Sequence, residues 1–346
     1  MASIRPEDLW PTFRQNAYQH MLLLNRTEIS NLLTLGDYIK VVEDAFRLYA
    51  EGKTPRTALL HVDGKEGEFH VKAGGLGSDR IYFGLKVNGG FFQNQTRFGL
   101  PNIQGAIYLA DATNGTPLAL MDSKEITIKR TGAATAVAAK YLARRNSKVV
   151  TICGCGNQGR IQLEALMEIL PISRVHAFSR NRRTAELFAQ ETADSLHVAV
   201  DVVTNLNDAI RFSDVCVTCT PAKSFFVSKE SVSPGTFIAA VGADSPDKQE
   251  LDPELLASSK VVVDILEQCA HVGELHHALE AGLLPREYVH AEVGEIIAGR
   301  KQGRTSDQEI TIFDSTGTAL QDVAAAAAIY ERAIERGIGQ DFKIAG

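Results

Sequence analysis

The stretch TICGCGNQGR, residues 151–160, constrains the fold of this chain more than any other. Gly154, Gly156 and Gly159 match G-x-G-x-x-G, a pattern that is weak by itself because glycine-rich loops are common. Here the strand-like run VVTIC precedes it and the amphipathic segment GRIQLEALMEIL follows it, the context that a dinucleotide-binding turn requires. Such glycines let the backbone approach a pyrophosphate, whose charge faces the free N–H groups at the helix start. We therefore predict dinucleotide binding rather than a purely structural turn, with contacts from Gly154, Gly156, Asn157, Gln158 and Gly159.

Around this turn, short β-branched runs alternate with helical segments, which is typical of buried parallel strands. The runs are SKVVTIC, RVHAFS, HVAVDVV, DVCVTCT, GTFIAAVGA, KVVVDI and EITIFDS. The opening third instead indicates an α+β region, with a helix ended by Gly52 and a hairpin at Asn114-Gly115. Two alanine-rich helices, EITIKRTGAATAVAAKYLARRNS and GTALQDVAAAAAIYERAIERGIG, bracket the parallel region. We predict an α/β fold in which a Rossmann domain (129–317) is inserted into a split α+β domain (1–128 and 318–346), with residues 1–20 as an N-terminal extension.

Size and charge favour a two-domain enzyme of small-molecule metabolism. A chain of 346 residues exceeds the usual size of one domain. A net charge of −6 without a long Lys/Arg block argues against nucleic-acid binding. The N-terminal region lacks the apolar core of a secretion signal, and no segment approaches the roughly 18 apolar residues of a membrane span. We therefore expect a cytoplasmic protein whose partner is a small molecule, not a nucleic acid or a membrane.

Two groups of residues have spacings that resemble metal or redox sites. Cys216 and Cys219 form a CxxC inside an apolar run, so buried strand residues are the favoured interpretation and redox or metal use is the alternative. His271, His276 and His277 do not have the H-E-x-x-H spacing, and no Cys or Asp completes a ligand set. Five cysteines without a secretion signal also argue against disulfides. We predict no metal site.

The residues just after the strand RVHAF should contact the adenosine ribose of the dinucleotide. An NAD site usually has Asp or Glu about 20 residues beyond the glycines, to hold the 2'-hydroxyl. Here Ser179 and Arg180 follow the strand, and no carboxylate occurs before Glu186. Because a 2'-phosphate needs a cation and hydroxyl donors, we predict NADP(H), with NAD(H) as the alternative. If these arginines are only solvent-exposed residues at the start of a helix, the protein would discriminate weakly between NADP(H) and NAD(H).

Four segments resemble the ornithine cyclodeaminase/mu-crystallin family: GLKVNGGFFQN (84–94), KRTGAATAVAAKYLAR (129–144), VGADSPDKQELDPELL (241–256) and TIFDSTGTALQDVAAA (311–326). The resemblance covers nearly all of the chain from about Met21. It implies a Rossmann domain inserted into a split domain that binds substrate and forms a homodimer. Members include cyclodeaminases, an archaeal type of alanine dehydrogenase and several imine reductases. All move a hydride between a nicotinamide and a 2-amino acid or its imine.

The resemblance also implies site residues. Arg56, Lys86 and Arg130 would hold the substrate carboxylate, which agrees with the bidentate fit of arginine to carboxylates. Asp244, after the strand GTFIAAVGA, would engage the substrate amino group, the alternative being a residue that only caps a loop. The predicted cofactor site extends to Thr131, Ser179, Arg180, Thr218, Thr220 and Gly242.

One position departs from the cyclodeaminase pattern. Cyclodeaminases carry a glutamate near the substrate's distal amine, where this chain has His70, with Lys72 on the same strand face. Cations match a distal ammonium poorly, so the departure favours the imine-reducing branch.

The leading hypothesis is an NAD(P)H-dependent reductase or dehydrogenase of the C=N/CH–NH bond in a small imino or amino acid, with Lys86 or Asp244 transferring the proton. A cyclodeaminase that recycles its cofactor internally is the first alternative. A non-catalytic NADP(H)-binding protein is the second.

Overall fold

The computed structural model describes residues 20–344, apart from 56, 78 and 79. The chain divides into two compact units, Met1–Arg130 with Thr318–Gly346, and Thr131–Gly317. The first boundary lies within one continuous helix, Ser123–Leu142, two residues beyond the predicted position. Of the predicted N-terminal extension, residues 1–19 lie outside the described residues, whereas His20 begins the first strand.

The first unit is built on a seven-stranded mixed sheet. With elements numbered along the chain, its strands are β1 (His20–Leu24), β2 (Ala58–Asp63), β3 (Glu68–Leu76), β4 (Tyr82–Gly90), β5 (Ile103–Asp111), β6 (Pro117–Asp122) and β17 (Gln340–Lys343), in the order β17-β1-β6-β5-β4-β3-β2. Its helices are α1 (Arg26–Ser30), α2 (Leu35–Ala50), α3 (Asn94–Phe98), the first part of α4 (Ser123–Leu142) and α12 (Ala319–Arg336). The strands from β2 to β6 pair antiparallel, and the Asn114-Gly115 hairpin joins β5 to β6 as predicted.

Helix α12 packs on one face of this sheet. A Cβ added to Gly84 would lie 2.5 Å from a methyl group of Val323, and one added to Gly74 would lie 3.2 Å from the Cβ of Ala319. Small residues on both elements therefore permit the close approach. Because side chains alternate along a strand, Lys72 and Lys86 lie on this inner face. The opposite, outer face exposes apolar side chains: Leu60, Val62, Phe69, Phe83 and Val87.

The second unit contains an eight-stranded parallel sheet in the order β15-β14-β16-β12-β10-β7-β8-β9. Its strands are β7 (Val149–Cys153), β8 (Arg174–Phe178), β9 (Ala199–Val202), β10 (Val215–Thr218), β12 (Phe237–Ala240), β14 (Lys260–Val263), β15 (Ala291–Glu292) and β16 (Thr311–Asp314), beside a small sheet of β11 (Lys223–Val227) and β13 (Gln249–Leu251). The helices are the rest of α4, α5 (Asn157–Met167), α6 (Arg182–Leu196), α7 (Leu206–Arg211), α8 (Pro253–Ala257), α9 (Leu266–Val272), α10 (Glu274–Glu280) and α11 (Val293–Ile297). Each of the seven predicted β-branched runs contains a strand of this sheet, and the α/β fold class is confirmed.

The second part of α4 packs closely against α5. A Cβ on Gly132 would lie 2.8 Å from the carbonyl oxygen of Ile161, so glycine at this position permits the close approach of the two helices. All five cysteines are free. Cys216 is fully buried in β10, as the strand interpretation of the CxxC predicts, whereas Cys219 lies just after that strand and is only partly buried. Among the described residues, no helix is long and apolar enough to cross a membrane.

Candidate active site

The glycine turn joins β7 to α5 in the second unit. Gly154 has φ +112°, and a Cβ there would lie 2.8 Å from the carbonyl oxygen of Cys219. A Cβ on Gly159 would lie 2.2 Å from the carbonyl oxygen of Gly154, so this glycine permits close packing of helix on strand. A Cβ on Gly156 would meet nothing within 4 Å, and Gly156 caps the helix without offering a side chain to its first N–H groups. The surface over the helix start is open and fits a pyrophosphate.

Two loops that follow strands of the parallel sheet are joined by a buried carboxylate. Glu250 in β13 accepts hydrogen bonds from the backbone N–H and the hydroxyl of Thr220, at 2.6 and 2.7 Å. Its other oxygen accepts the N–H of Gly242 at 2.9 Å. Burial raises the pKa of Glu250 to about 6. The hydroxyl of Thr220 is therefore engaged by the protein itself, and Glu250 orders two of the predicted cofactor-binding loops.

The other predicted cofactor residues lie on the same unit. Thr131 is buried in α4, and Thr218 is buried at the end of β10. Ser179 and the exposed Arg180 lie in the connection from β8 to α6. Asn181 is the N-cap of α6. The predicted ribose-reading position is thus at the carboxyl end of β8, the end from which ligands are bound in such sheets.

A buried cluster of charges lies on the inner face of the seven-stranded sheet. Asp322, on α12, places one carboxylate oxygen 2.6 Å from Nζ of Lys86 and the other 2.9 Å from Nε of Arg130. The side chains of Lys86 and Asp322 are only 3% and 2% exposed. Gln321 accepts a hydrogen bond of 2.6 Å from Arg130 Nη1. Lys72, also buried, lies directly across from Lys86 in the sheet.

The cluster holds three cations around one carboxylate. Burial lowers the pKa of Lys86, Asp322 opposes that shift, and Arg130 and Lys72 add to it, so that the resulting pKa is about 7. Burial acts to raise the pKa of Asp322, but Arg130, Lys86 and Lys72 outweigh it and hold that pKa below its usual value. The excess positive charge provides a site for an anion, beside an amine that changes protonation near neutral pH.

Asp322 is the main site residue that the sequence analysis missed. It lies inside the quoted segment TIFDSTGTALQDVAAA, but no role was assigned to it. The available signal was an acid in the alanine-rich first half of this helix, because a buried carboxylate rarely lacks a cationic partner.

The remaining predicted residues have different surroundings. His70 and Lys72 share one strand face as expected, but His70 Nε2 lies 3.0 Å from a carboxylate oxygen of Glu68. The sequence predicts two cations, His70 and Lys72, on this strand face. Glu68 lies two residues before His70, so the same spacing also places a carboxylate there. Asp244 follows β12 in the second unit and forms an ion pair of 2.5 Å with Lys248. Arg56 lies outside the described residues.

A second unit with a dinucleotide-binding turn, together with a first unit that buries cations able to hold an anion, indicates a nicotinamide-dependent oxidoreductase. The chain matches the ornithine cyclodeaminase/mu-crystallin family over residues 19–337, and it belongs to that family. The predicted family is confirmed.

Three relatives show the similarity in detail. Alanine dehydrogenase of Archaeoglobus fulgidus is 41% identical over 322 residues, covering 93% of this chain and 98% of the relative. The structure of Thermococcus litoralis Δ1-pyrroline-2-carboxylate reductase, with NADH and L-proline, is 36% identical, covers 92% of this chain and 99% of its own, and has a TM-score of 0.88. The iminosuccinate reductase of Paracoccus denitrificans, solved with NAD+, is 33% identical, covers 94% and 100%, and has a TM-score of 0.87. The predicted enzyme class is confirmed.

Proposed function

We propose that this protein is a nicotinamide-dependent reductase or dehydrogenase of the C=N/CH–NH bond in a small 2-imino or 2-amino acid. The observation that carries the proposal is the buried Lys86, whose pKa is about 7, beside Arg130 and with Asp322 as counter-charge. Relatives named alanine dehydrogenase, pyrroline-2-carboxylate reductase and iminosuccinate reductase support the same substrate class.

Each unit has a proposed role. The first unit binds the substrate, with Arg130 and Arg56 holding its carboxylate and His70 and Lys72 facing its side chain. Lys86 gives a proton to the substrate nitrogen, or takes one from it, at Nζ. Asp244 is the alternative group for this transfer. The second unit binds the dinucleotide through the glycine turn, and the bound nicotinamide supplies or accepts the hydride.

A spectrophotometric screen tests this function. NADPH and NADH are offered with pyruvate plus ammonia or methylamine, with oxaloacetate plus ammonia, and with pyrroline-2-carboxylate; ornithine is tested in parallel. We expect net consumption of reduced cofactor with at least one imino acid. Cyclisation of ornithine without net change of cofactor would identify a cyclodeaminase instead. Tight binding of the cofactor without turnover of any substrate would identify a non-catalytic binding protein.

We assign the cofactor preference to NADP(H). The support is the pair Ser179 and Arg180 at the carboxyl end of β8, where an NAD site usually has a carboxylate. Three relatives of known structure were solved with NAD or NADH, so an NADP(H) preference would distinguish this chain from those complexes.

Replacing Arg180 with aspartate is expected to reverse the preference. Loss of a charge-assisted hydrogen bond to the 2'-phosphate removes roughly 1.5–3 kcal/mol, so the ratio of kcat/KM for NADPH over NADH should fall by about 10- to 100-fold. Arg174→Asp is the control, because Arg174 begins the same strand at its opposite end. An unchanged ratio in Arg180→Asp would refute the assignment.

The outer face of the seven-stranded sheet is the surface we assign to a homodimer. Exposed apolar residues from three neighbouring strands lie side by side there, and a patch of this kind marks an interface. The archaeal alanine dehydrogenase is described as a dimer. Sedimentation should give twice the chain mass of 37.6 kDa.

A further inference from the structure

Two histidines and a glutamate from neighbouring strands converge at the edge of the seven-stranded sheet. His61 on β2 pairs directly across from His70 on β3, and their rings lie 4.7 Å apart in an edge-to-face arrangement. Glu68 lies two residues before His70, so its side chain is on the same face. Its oxygens lie 3.0 Å from His70 Nε2 and 3.4 Å from His61 Nε2.

Although the sequence spacing predicts no metal site, we propose that His61, Glu68 and His70 bind a divalent transition metal of the zinc type. One ligand atom from each residue lies within 4.8 Å of the other two. Zinc binds nitrogen and oxygen at about 2.0–2.2 Å, so two ligands of a tetrahedral ion lie roughly 3.3 Å apart. One carboxylate oxygen of Glu68 lies 3.0 Å from His70 Nε2 and the other lies 3.4 Å from His61 Nε2, so each histidine–glutamate separation is close to that value. Two imidazoles and one carboxylate form a common three-residue set, which leaves the fourth position open.

Nearby charges modulate the affinity of the cluster for a cation, and its ligand types set which metal it prefers. Asp63 lies 3.3 Å from His61 Nε2 and adds a second carboxylate to the same face of the hairpin. Lys72 follows His70 on that face, and its positive charge opposes the metal. Imidazole ligands favour zinc, copper or nickel over magnesium or calcium, so we expect no binding of the latter two ions.

A second cluster in the other unit provides an internal comparison. His276, His277 and Glu280 also lie within 4.8 Å of one another. However, His277 Nε2 is 2.8 Å from the carbonyl oxygen of Lys248, so this nitrogen is already engaged by the backbone. The strand cluster is the better metal site because its carboxylate lies within 3.4 Å of a nitrogen of both histidines, whereas Glu280 forms its ion pair with His276, at 3.4 Å.

Metal binding should cross-link the edge strand β2 to β3. Since an ion that binds only the folded state stabilises it by mass action, zinc should also raise the thermal midpoint of the protein. His61 is exposed on the edge strand β2, so its replacement should leave the fold intact.

The test uses the full chain after treatment with a chelator and dialysis. Zinc is titrated in competition with a chromophoric chelator, and cobalt is added to record the visible bands of a four-coordinate site. We expect one zinc per chain, binding tighter than about 10 µM. His61→Gln and His70→Gln should each weaken binding at least about tenfold, whereas His276→Gln should leave it unchanged.

Three outcomes would overturn the proposal: no stoichiometric zinc below about 100 µM, equal binding in the double variant His61→Gln/His70→Gln, or loss of binding in His276→Gln. Circular dichroism of each variant checks that it is folded. The measurement requires no turnover, so its failure is independent of the proposed enzymatic function.

Discussion

Replacing Lys86 with methionine is expected to lower kcat/KM by about 10²- to 10⁴-fold, the range associated with loss of a general acid or base. Methionine keeps the length and the buried apolar contacts of the side chain but carries no proton. Because Lys86 lies on the first unit and the glycine turn on the second, NADPH should still bind, as measured by its fluorescence.

The pH dependence gives a second measurement of the same residue. Since the pKa of Lys86 is about 7, the rate of imine reduction should fall as the pH rises through 7, and the rate of amine oxidation should rise. The variant should lose this inflection. Lys40→Met, on an exposed position of α2, is the control and should retain both rate and profile. A Lys86→Met enzyme with the parental kcat/KM would exclude Lys86 from proton transfer.

Replacing Asp322 with asparagine is expected to destabilise the protein by about 3–5 kcal/mol, the usual cost of breaking a buried ion pair. Asparagine keeps the shape of the side chain, but Lys86, Arg130 and Lys72 then lack their buried counter-charge. The pKa of Lys86 should fall further below 7, because the attraction of Asp322 is what opposes its burial. The inflection in the rate of imine reduction should therefore move to lower pH.

Urea unfolding measures the stability part of this prediction. Lys86 carries its charge below its pKa of about 7, so the difference between parent and variant should be larger at pH 6 than at pH 8. Part of the difference persists at both pH values because Arg130 stays charged. Asp44→Asn removes an exposed ion pair with Arg47 and should cost less than about 1 kcal/mol. Equal unfolding midpoints and equal pH profiles for Asp322→Asn and the parent would contradict the role of Asp322.

The two units differ in how well the sequence predicts their sites. In the second unit, strand, turn and helix follow one another within residues 149–167, so a local pattern predicts the pyrophosphate site. The packing of Gly154 and Gly159 then agrees with the motif. In the first unit, Lys86 and Arg130 are predicted only through the resemblance of their segments to a family, since an isolated lysine or arginine carries no signal of its own.

The sequence by itself determined the parallel strands, the two bracketing helices and the glycine turn, because periodicity and turn chemistry act over a few neighbouring residues. Only the tertiary structure decided that Asp322 on the last helix meets Lys86 and Arg130, that Glu250 joins two loops, and that His61 faces His70. These encounters depend on strand register and on how a helix docks on a sheet, which a linear pattern does not encode. The charges that set the pKa of Lys86 come from separate elements, so that pKa is a property of the fold.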